Sequence, residues 1–230
     1  MSKVLEVIVT GLREAAIAAA AGADRLELVT AFERGGLTPD LRVVDDVART
    51  VTVPVHVMVR PHDRSFCYTR AERYEITETA ARMRNAGASA IVFGALELDR
   101  SIDLRLVEDV AGRANLPLTF HRAFDHAHDL REAYAQLATL PAVTRVLTAG
   151  GAADAWSGRA LLHDLIAQRR APEVLVGGGI TVANLRDVVR RTGAREVHVG
   201  NAARTEGKID GTKIEALATL LKLPSPESVA

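Results

Sequence analysis

The chain has 230 residues, of which 48% are apolar and only 4% are aromatic, so the core must be built mainly from alanine, valine, leucine and isoleucine. Lysine plus arginine and aspartate plus glutamate each number 29, which makes the formal net charge zero. This balance gives no electrostatic reason to expect nucleic acid or an anionic membrane as a partner.

Three features of the sequence indicate the cellular compartment of the protein. The single cysteine, Cys67, excludes an intramolecular disulfide, which suits a reducing cytosol. No run approaches the roughly 18 apolar residues of a membrane span. Glu6 stands where a signal peptide would be apolar. We therefore expect a soluble, cytoplasmic protein.

Short runs rich in valine, isoleucine and leucine recur about every 20 to 30 residues along the chain. Such runs are typical of strands that are covered on both faces. The predicted strands lie at Val4–Val9, 25–29, 53–59, Ala90–Phe93, 116–120, 144–147, 173–176 and Glu196–Val199.

Segments with helical spacing or helix-forming composition lie between these strands. Thr38 followed by Pro39 predicts an N-cap and a proline at the first helical position. Thr69 and Glu72 have the spacing of a capping box. The predicted helices cover residues 15–23, 39–50, 69–85, 104–114, 129–140, 155–169, 182–192 and 212–221.

The alternation of strand and helix predicts the fold class. No change of composition marks a domain boundary, and eight βα units within about 220 residues match a single (β/α)8 TIM barrel, an α/β fold. We predict that this barrel spans residues 1–222 and that residues 223–230 form a disordered tail. A doubly wound sheet is the alternative, although it rarely contains eight such even units.

Several predicted strands carry ionisable residues that do not belong in an apolar layer. Burying any one of them alone would cost several kcal/mol. We therefore expect them to face a common axis and to pair with each other. These residues are Glu6, Glu27, His56, Arg60, His121 and His198.

The preferred interpretation is a polar pocket that binds a small polar molecule and can carry out acid–base chemistry. His121 is expected to face Glu6 and Glu27 across the barrel mouth. The alternative is an ion-pair network that plugs the barrel. The candidate catalytic residues are Glu6, Glu27, Arg60, His121, Arg122, Asp125 and His198.

Four other histidines are not expected to bind a ligand. His56 lies in the middle of the third predicted strand, and we interpret it as a buried packing residue. His62, His126 and His128 lie in loops and are expected to be solvated.

Glycine-rich turns follow the seventh and eighth predicted strands. TIM barrels often bind phosphate there, through backbone N–H groups and a helix N-terminus. The alternative is that these glycines only form tight turns. The predicted anion-binding residues are Thr148, Gly178, Gly179, Gly200 and Asn201. Residues 60–68 and 35–39 are loops that could close over the pocket.

The sequence does not favour a metal centre. It lacks the CxxC, HxxxH and HExxH spacings, and it offers one cysteine and three methionines. A divalent-ion site built from Glu6, Glu27, His121 and His198 is conceivable, but a pocket without metal is the preferred prediction.

Motifs along nearly the whole chain resemble the CutC family, the group named for copper homeostasis. The FHRAFD run at 120–125 and the GGLTP run at 35–39 are the most specific. Shorter matching pieces lie at 5–7, 22–28, 60–61, 145–148, 177–180 and 196–198. The resemblance implies a TIM barrel, often a dimer, in the cytoplasm.

The resemblance also implies a link to copper. Family members discussed as copper binders offer cysteines after the first two strand glutamates, where this chain has Ile8 and Val29. Neither side chain can bind a metal, so we expect no copper or other cofactor. The loop at 62–64 and the turn at 198–201 also depart from the family pattern.

The sequence thus predicts a CutC-like cytoplasmic protein, linked by resemblance to copper homeostasis, whose barrel mouth binds a small polar or anionic ligand. The alternative is an acid–base enzyme of the lyase, isomerase or hydrolase type that acts on a sugar-like or phosphorylated substrate. We expect a homodimer, with neither nucleic acid nor membrane as a partner.

Overall fold

A computed structural model describes residues 3–223. Eight parallel strands form a closed barrel in chain order, and the first strand pairs with the eighth. This confirms the predicted TIM barrel and excludes the doubly wound sheet. The strands are β1 Val4–Val9, β2 Arg25–Leu28, β3 Val55–Met58, β4 Ala90–Phe93, β5 Leu118–Phe120, β6 Val143–Thr148, β7 Glu173–Gly177 and β8 Glu196–Val199. The predicted disordered tail lies outside the described residues, apart from Leu223.

Each strand is followed by a helix on the outside of the barrel. The predicted capping box opens α3, because the side chain of Glu72 accepts the backbone N–H of Thr69 while the Thr69 hydroxyl accepts that of Glu72. The helices are α1 Leu12–Ala20, α2 Leu41–Thr50, α3 Arg70–Asn85, α4 Leu104–Ala114, α5 Leu130–Leu137, α6 Arg159–Ala167, α7 Leu185–Thr192 and α8 Gly211–Lys222. No helix of residues 3–223 is both long and apolar enough to cross a membrane.

The N-cap of α2 differs from the predicted one. Asp40 caps this helix, and its carboxylate accepts the backbone N–H of Arg42 at 2.8 Å. The Thr38 hydroxyl instead accepts the backbone N–H of Arg60 at 2.8 Å. Thr38 therefore ties the loop after β2 to the end of β3, and both segments border the barrel mouth.

A short hairpin between β8 and α8 was not predicted. Its strands, β9 Arg204–Thr205 and β10 Lys208–Ile209, pair antiparallel. Because each strand has only two residues, it has no alternating pattern that could be recognised in the sequence.

The two faces of the barrel strands have different surroundings. Leu5, Val7 and Val9 of β1 are fully buried in the main apolar core, which lies between the barrel and the helices. Glu6, between them in sequence, is equally buried but pairs with charged groups of other strands inside the barrel. The barrel interior is therefore ionic at the level of Glu6.

Four side chains form an ionic floor in the barrel, which we define as Glu6, Arg25, Arg145 and Glu196. The guanidinium of Arg25 bridges two carboxylates, with Nε 2.5 Å from Glu6 Oε2 and Nη2 2.7 Å from Glu196 Oε2. The Nε of Arg145 lies 2.7 Å from the same Glu196 oxygen. Two positive and two negative charges thus compensate each other at a depth where an unpaired charge would be costly.

We predict that Glu196→Gln lowers the free energy of unfolding by about 3–5 kcal/mol, because two largely buried guanidinium groups lose their shared anion. Urea denaturation followed by circular dichroism measures this loss. Glu173→Gln is the matched control, since Glu173 pairs with Arg195 at 2.6 Å on the surface, where such a pair contributes at most about 1 kcal/mol. Equal losses in the two variants would contradict the role of the ionic floor.

Candidate functional site

A cavity of about 770 Å³ opens at the carboxyl ends of the strands, the face on which TIM barrels bind ligands. An apolar cluster of Val29, Met58 and Val92 packs against Ile8 and Phe32, and all of these except Val92 belong to the cavity lining. The charged and polar residues of the lining are Glu27, Arg60, His121, Arg122, Thr181, His198, Asn201 and Lys213. The lining also contains Gly35, Gly36, Gly178, Gly179 and Gly200.

Most of the predicted site residues therefore meet in one cavity. Of the candidate catalytic residues, Glu6 and Asp125 do not belong to the lining, and of the candidate anion-binding residues Thr148 does not. Lys213 was not predicted. It lies in the first turn of α8, beyond the unpredicted hairpin, and no motif in the sequence distinguishes it from other surface lysines.

His198 lies between two buried carboxylates. Its Nδ1 is 2.7 Å from Glu6 Oε1, and its Nε2 is 3.9 Å from Glu27 Oε2. Oε1 of Glu27 has no hydrogen-bond partner among residues 3–223. Glu27 and His198, which we call the proton pair, both line the cavity and stand directly above the ionic floor.

The surroundings shift the pKa values of Glu6, Glu27 and His198 in different directions. Burial would raise the pKa of Glu6, but Arg25 and then His198 outweigh burial and hold this pKa well below its usual range. Burial raises the pKa of Glu27 to about 7, against the opposing effect of His198. Burial would lower the pKa of His198, but Glu27 and the hydrogen bond to Glu6 raise it. Glu27 and His198 therefore influence each other's protonation and titrate as a unit.

His56 is a buried histidine, as predicted, and it lies inside the barrel beside the ionic floor. Its Nδ1 is 3.5 Å from Glu6 Oε2 and makes no hydrogen bond within the described chain. Burial lowers the pKa of His56 to about 4, so this imidazole is neutral at physiological pH.

His121 does not join the charge cluster, contrary to the prediction. It lines the same cavity as Glu27, but in the described part of the chain no hydrogen bond or ion pair links it to Glu6 or Glu27. Its Nδ1 instead accepts the backbone N–H of Ala123 at 3.1 Å. Its ring lies 5.2 Å from that of Phe66, centroid to centroid.

The protonation of His121 follows from these contacts. Burial, assisted by the positive charge of Arg60, lowers the pKa of His121 to about 3. Because Nδ1 accepts a hydrogen bond, the neutral ring carries its hydrogen on Nε2, and Nε2 has no partner within residues 3–223. Gly94 makes room for the ring, since a Cβ there would lie 2.5 Å from His121 Nδ1.

Arg60 also differs from the prediction that the strand charges pair with each other. Its Nη1 donates weakly to the carbonyl oxygens of Gly35 and Gly36, at 3.3 and 3.4 Å. Its guanidinium lies 4.9 Å from the centroid of the Phe66 ring. No carboxylate of the described residues forms an ion pair with Arg60. The two predicted covering loops therefore meet at this guanidinium, which keeps its positive charge at the cavity.

Asp125 and Thr148 support the site from behind its lining. The Asp125 carboxylate lies 2.8 Å from Arg122 Nε and accepts the Thr148 hydroxyl. It also accepts the backbone N–H groups of Ala149 and Gly151, at 3.1 and 2.9 Å. Asp125 thus fixes the loop after β6 and orients Arg122, and its oxygens are occupied by protein donors. Neither residue belongs to the cavity lining.

The glycine turn after β7 lies against Arg122. Gly178 and Gly179 have φ values of 100° and 66°, in the left-handed region that favours glycine. A Cβ at Gly178 would lie 3.4 Å from Nη1 of Arg122, at ordinary contact distance, so the guanidinium lies directly beside the turn. Together with Lys213, whose Nζ donates to Arg204 O at 2.7 Å, this arrangement makes one side of the mouth positively charged.

The loop histidines differ in their exposure. His126 and His128 are exposed, as predicted. His62 is not, because its Nε2 lies 3.0 Å from Oε1 of Glu72 and its side chain is only 13% exposed. The prediction that His62 is solvated is wrong, since the capping glutamate of α3 holds its ring.

The residues fit a bound metal poorly. Donor atoms of Glu6, Glu27 and His198 lie within 4.8 Å of one another, and His121 is not part of this group. Because Arg25 lies 2.5 Å from Glu6, a cation there would meet a fixed positive charge. Cu(I) prefers thiolate, yet Cys67 lies outside the cavity lining, and its thiol faces the carbonyl oxygen of Glu97 at 3.5 Å.

We predict that Glu27→Gln becomes more stable relative to the wild type as pH rises from about 4.5 to above 7. Since the folded chain raises the pKa of Glu27 from 4.5 to about 7, the stabilising proton is retained at low pH and is lost as pH rises through 7. Glutamine is neutral throughout. Urea denaturation at several pH values measures the trend, with Glu75→Gln on the exposed face of α3 as control. A difference from the wild type that does not change with pH would refute the shifted pKa.

Comparisons with known proteins agree with this architecture. The sequence model of the CutC family matches residues 3–203. A family protein CutC of Yersinia enterocolitica is 34% identical over an alignment of 249 positions, which covers 96% of this chain and 97% of the relative. One of Klebsiella pneumoniae is 38% identical over 196 residues, which cover 85% of this chain and 78% of the relative.

Solved structures of similar proteins also have this barrel fold. The structure named as copper homeostasis protein CutC of Streptococcus agalactiae matches with a TM-score of 0.80 and 27% identity, covering 86% of this chain and 98% of that one. N-(5'-phosphoribosyl)anthranilate isomerase of Pyrococcus furiosus matches with a TM-score of 0.62, 16% identity, and 96% and 98% coverage. The second likeness reflects the barrel fold alone. From the family match and these relatives, we conclude that the chain belongs to the CutC family.

Proposed function

We propose that this chain serves copper homeostasis, the role in the name of its Streptococcus agalactiae relative, by binding a small anionic molecule at the barrel mouth. One observation carries the proposal. The cavity is lined by three cationic side chains, Arg60, Arg122 and Lys213, whereas Glu27 is the one acidic side chain among its described lining residues.

The balance of charge favours an anion over a cation. Near neutral pH the carboxyl group of Glu27 is only partly ionised, because burial raises its pKa to about 7. The cationic side chains therefore dominate the potential inside a cavity with largely apolar walls, where field lines are focused. The planar guanidinium group binds two oxygens of a phosphate or carboxylate through paired hydrogen bonds.

The size and walls of the cavity indicate a small molecule with a partly apolar body. A volume of about 770 Å³ lies within the range of roughly 300–1,000 Å³ that is typical of small-molecule sites. Ile8, Val29 and Met58 supply apolar contact at the base, and Phe66 supplies it near Arg60. The positively charged side would then hold the anionic end of the ligand.

Copper would not be held in this cavity by thiolates. Ile8 and Val29 stand where copper-binding members of the family are expected to offer cysteines, and both belong to the cavity lining. We further propose, from the resemblance to the family and from the single cysteine of the sequence, that the protein acts in the cytoplasm as a homodimer without a bound metal cofactor.

We predict that Arg122→Gln weakens the binding of inorganic phosphate at least about tenfold, because one charge-assisted hydrogen bond contributes roughly 1.5–3 kcal/mol. Isothermal titration calorimetry measures the affinity. Arg131→Gln is the matched control, since Arg131 pairs with Asp164 on the surface, outside the cavity lining. Absence of phosphate binding by the wild type, or equal weakening in both variants, would count against the anion pocket.

We predict that the protein competes poorly with a chromogenic chelator for Cu(I), and that Cys67→Ser leaves this weak competition unchanged. The physical reason is the absence of a second thiol in a chain with one cysteine. The double variant Ile8→Cys, Val29→Cys is the positive control, because both positions lie in one apolar cluster at the cavity and should capture Cu(I). Tight, stoichiometric binding by the wild type would overturn the thiol argument.

A further inference from the structure

We propose that the barrel mouth is also a catalytic site, in which Glu27 removes a proton from the carbon next to the carbonyl group of a phosphorylated sugar while His121 polarises that carbonyl. The inference rests on the proposed function, since the anion pocket would hold the phosphate. It assigns separate roles to three parts of one cavity: a base, an electrophile and an anion anchor.

Glu27 has the surroundings of a general base. Its carboxyl group is buried at the cavity, and Oε1 makes no hydrogen bond within residues 3–223, so its capacity to accept a proton is unused. A carboxylate in such surroundings is a stronger base than one in water, because burial penalises its charge. A base whose pKa is near the working pH gives efficient proton transfer.

His198 is the positioning residue for this base. Its Nδ1 is held at 2.7 Å by Glu6 Oε1, and Arg25 in turn holds Glu6 from the ionic floor. The other ring nitrogen is therefore directed towards Glu27, at 3.9 Å from Oε2. As a cationic neighbour, His198 keeps a fraction of Glu27 ionised and so ready to accept a proton.

His121 has the features of a neutral electrophile. The backbone N–H of Ala123 occupies Nδ1, which leaves the hydrogen on Nε2, and this atom has no partner in the described chain. Burial and the nearby Arg60 keep the ring uncharged. A neutral imidazole can donate a hydrogen bond to a developing enolate oxygen and can pass a proton between two oxygens.

The anchor for the substrate is the positively charged side of the mouth. Arg122 stands against the glycine turn, and Asp125 fixes the orientation of its guanidinium. Binding energy from a phosphate held there would position the reacting carbons over the proton pair. The apolar cluster of Val29, Met58 and Val92 would keep water away from the enolate.

The step balances without a further reactant. The C–H bond next to the carbonyl breaks, its proton moves to Glu27, and its electron pair forms the C=C bond of an enediolate. The carbonyl π electrons move to oxygen, which the Nε2–H of His121 stabilises. Glu27 returns the proton to the neighbouring carbon while the hydroxyl proton passes between the two oxygens. Substrate and product are isomers, so no oxidant or reductant is consumed.

The test is solvent exchange in D2O with two probes, dihydroxyacetone phosphate and ribulose 5-phosphate, followed by proton NMR. We expect the wild type to replace the hydrogen next to the carbonyl of at least one probe with deuterium. Glu27→Gln should slow this exchange at least about 100-fold, the lower limit of general-base contributions. Arg131→Gln, a surface variant, should exchange at the wild-type rate.

Two further measurements separate catalysis from structural effects. Glu27→Gln should still bind inorganic phosphate by calorimetry, which shows that the fold and the anchor are intact. His198→Gln should move the midpoint of the exchange pH profile upward, because His198 opposes the increase in the pKa of Glu27. A purely structural role of His198 would lower the rate without moving the midpoint.

The outcomes are distinguishable. If the wild type binds phosphate but exchanges neither probe, or exchanges them equally fast as Glu27→Gln, the catalytic inference is wrong and the proposed anion pocket stands. If the wild type does not bind phosphate, the proposed function fails first. Exchange that depends on Glu27, with a profile that responds to His198, supports the inference.

Discussion

The bridge that Arg25 forms between Glu6 and Glu196 is the interaction on which the site depends. It makes Glu6 a permanent anion inside the barrel, and this anion fixes the ring of His198. The orientation of His198 then defines the surroundings of Glu27. A charge network that only neutralised itself would need no connection to the cavity, whereas this one ends at two groups of the cavity lining. The sequence offered an ion-pair network and a polar pocket as alternatives. The structure contains both, with the ionic floor inside the barrel and the cavity above it.

The fold could be predicted from the sequence because its signals are local and repeated. Eight apolar runs separated by helical segments allow few other architectures, and a capping box acts within a few residues. The proton pair could also be anticipated, since an isolated charge in a barrel strand needs a partner. Arg25 and Glu196 were missed because they are the first residues of predicted strands, where charge is common, and Arg145 is only one residue further in.

The errors have a common physical origin, which is local competition for polar atoms. His121 was expected to meet Glu27, but the backbone N–H of Ala123, two residues away, already satisfies its Nδ1. Asp125, a predicted catalytic residue, lies behind the cavity lining, where donors from the next loop bind its carboxylate. Such short-range bonds depend on the loop path, and no periodic pattern in the sequence encodes that path.

The clamp at Asp125 has a consequence for how the cavity can exchange its contents. One carboxylate immobilises Arg122 and the loop after β6, so this wall is rigid before any ligand arrives and loses little entropy on binding. The Arg60 side chain is held less firmly, because within the described chain its guanidinium makes only long bonds, of 3.3 and 3.4 Å, to the carbonyl oxygens of Gly35 and Gly36. A ligand that enters the mouth would therefore displace the Arg60 side chain more readily than the wall formed by Arg122.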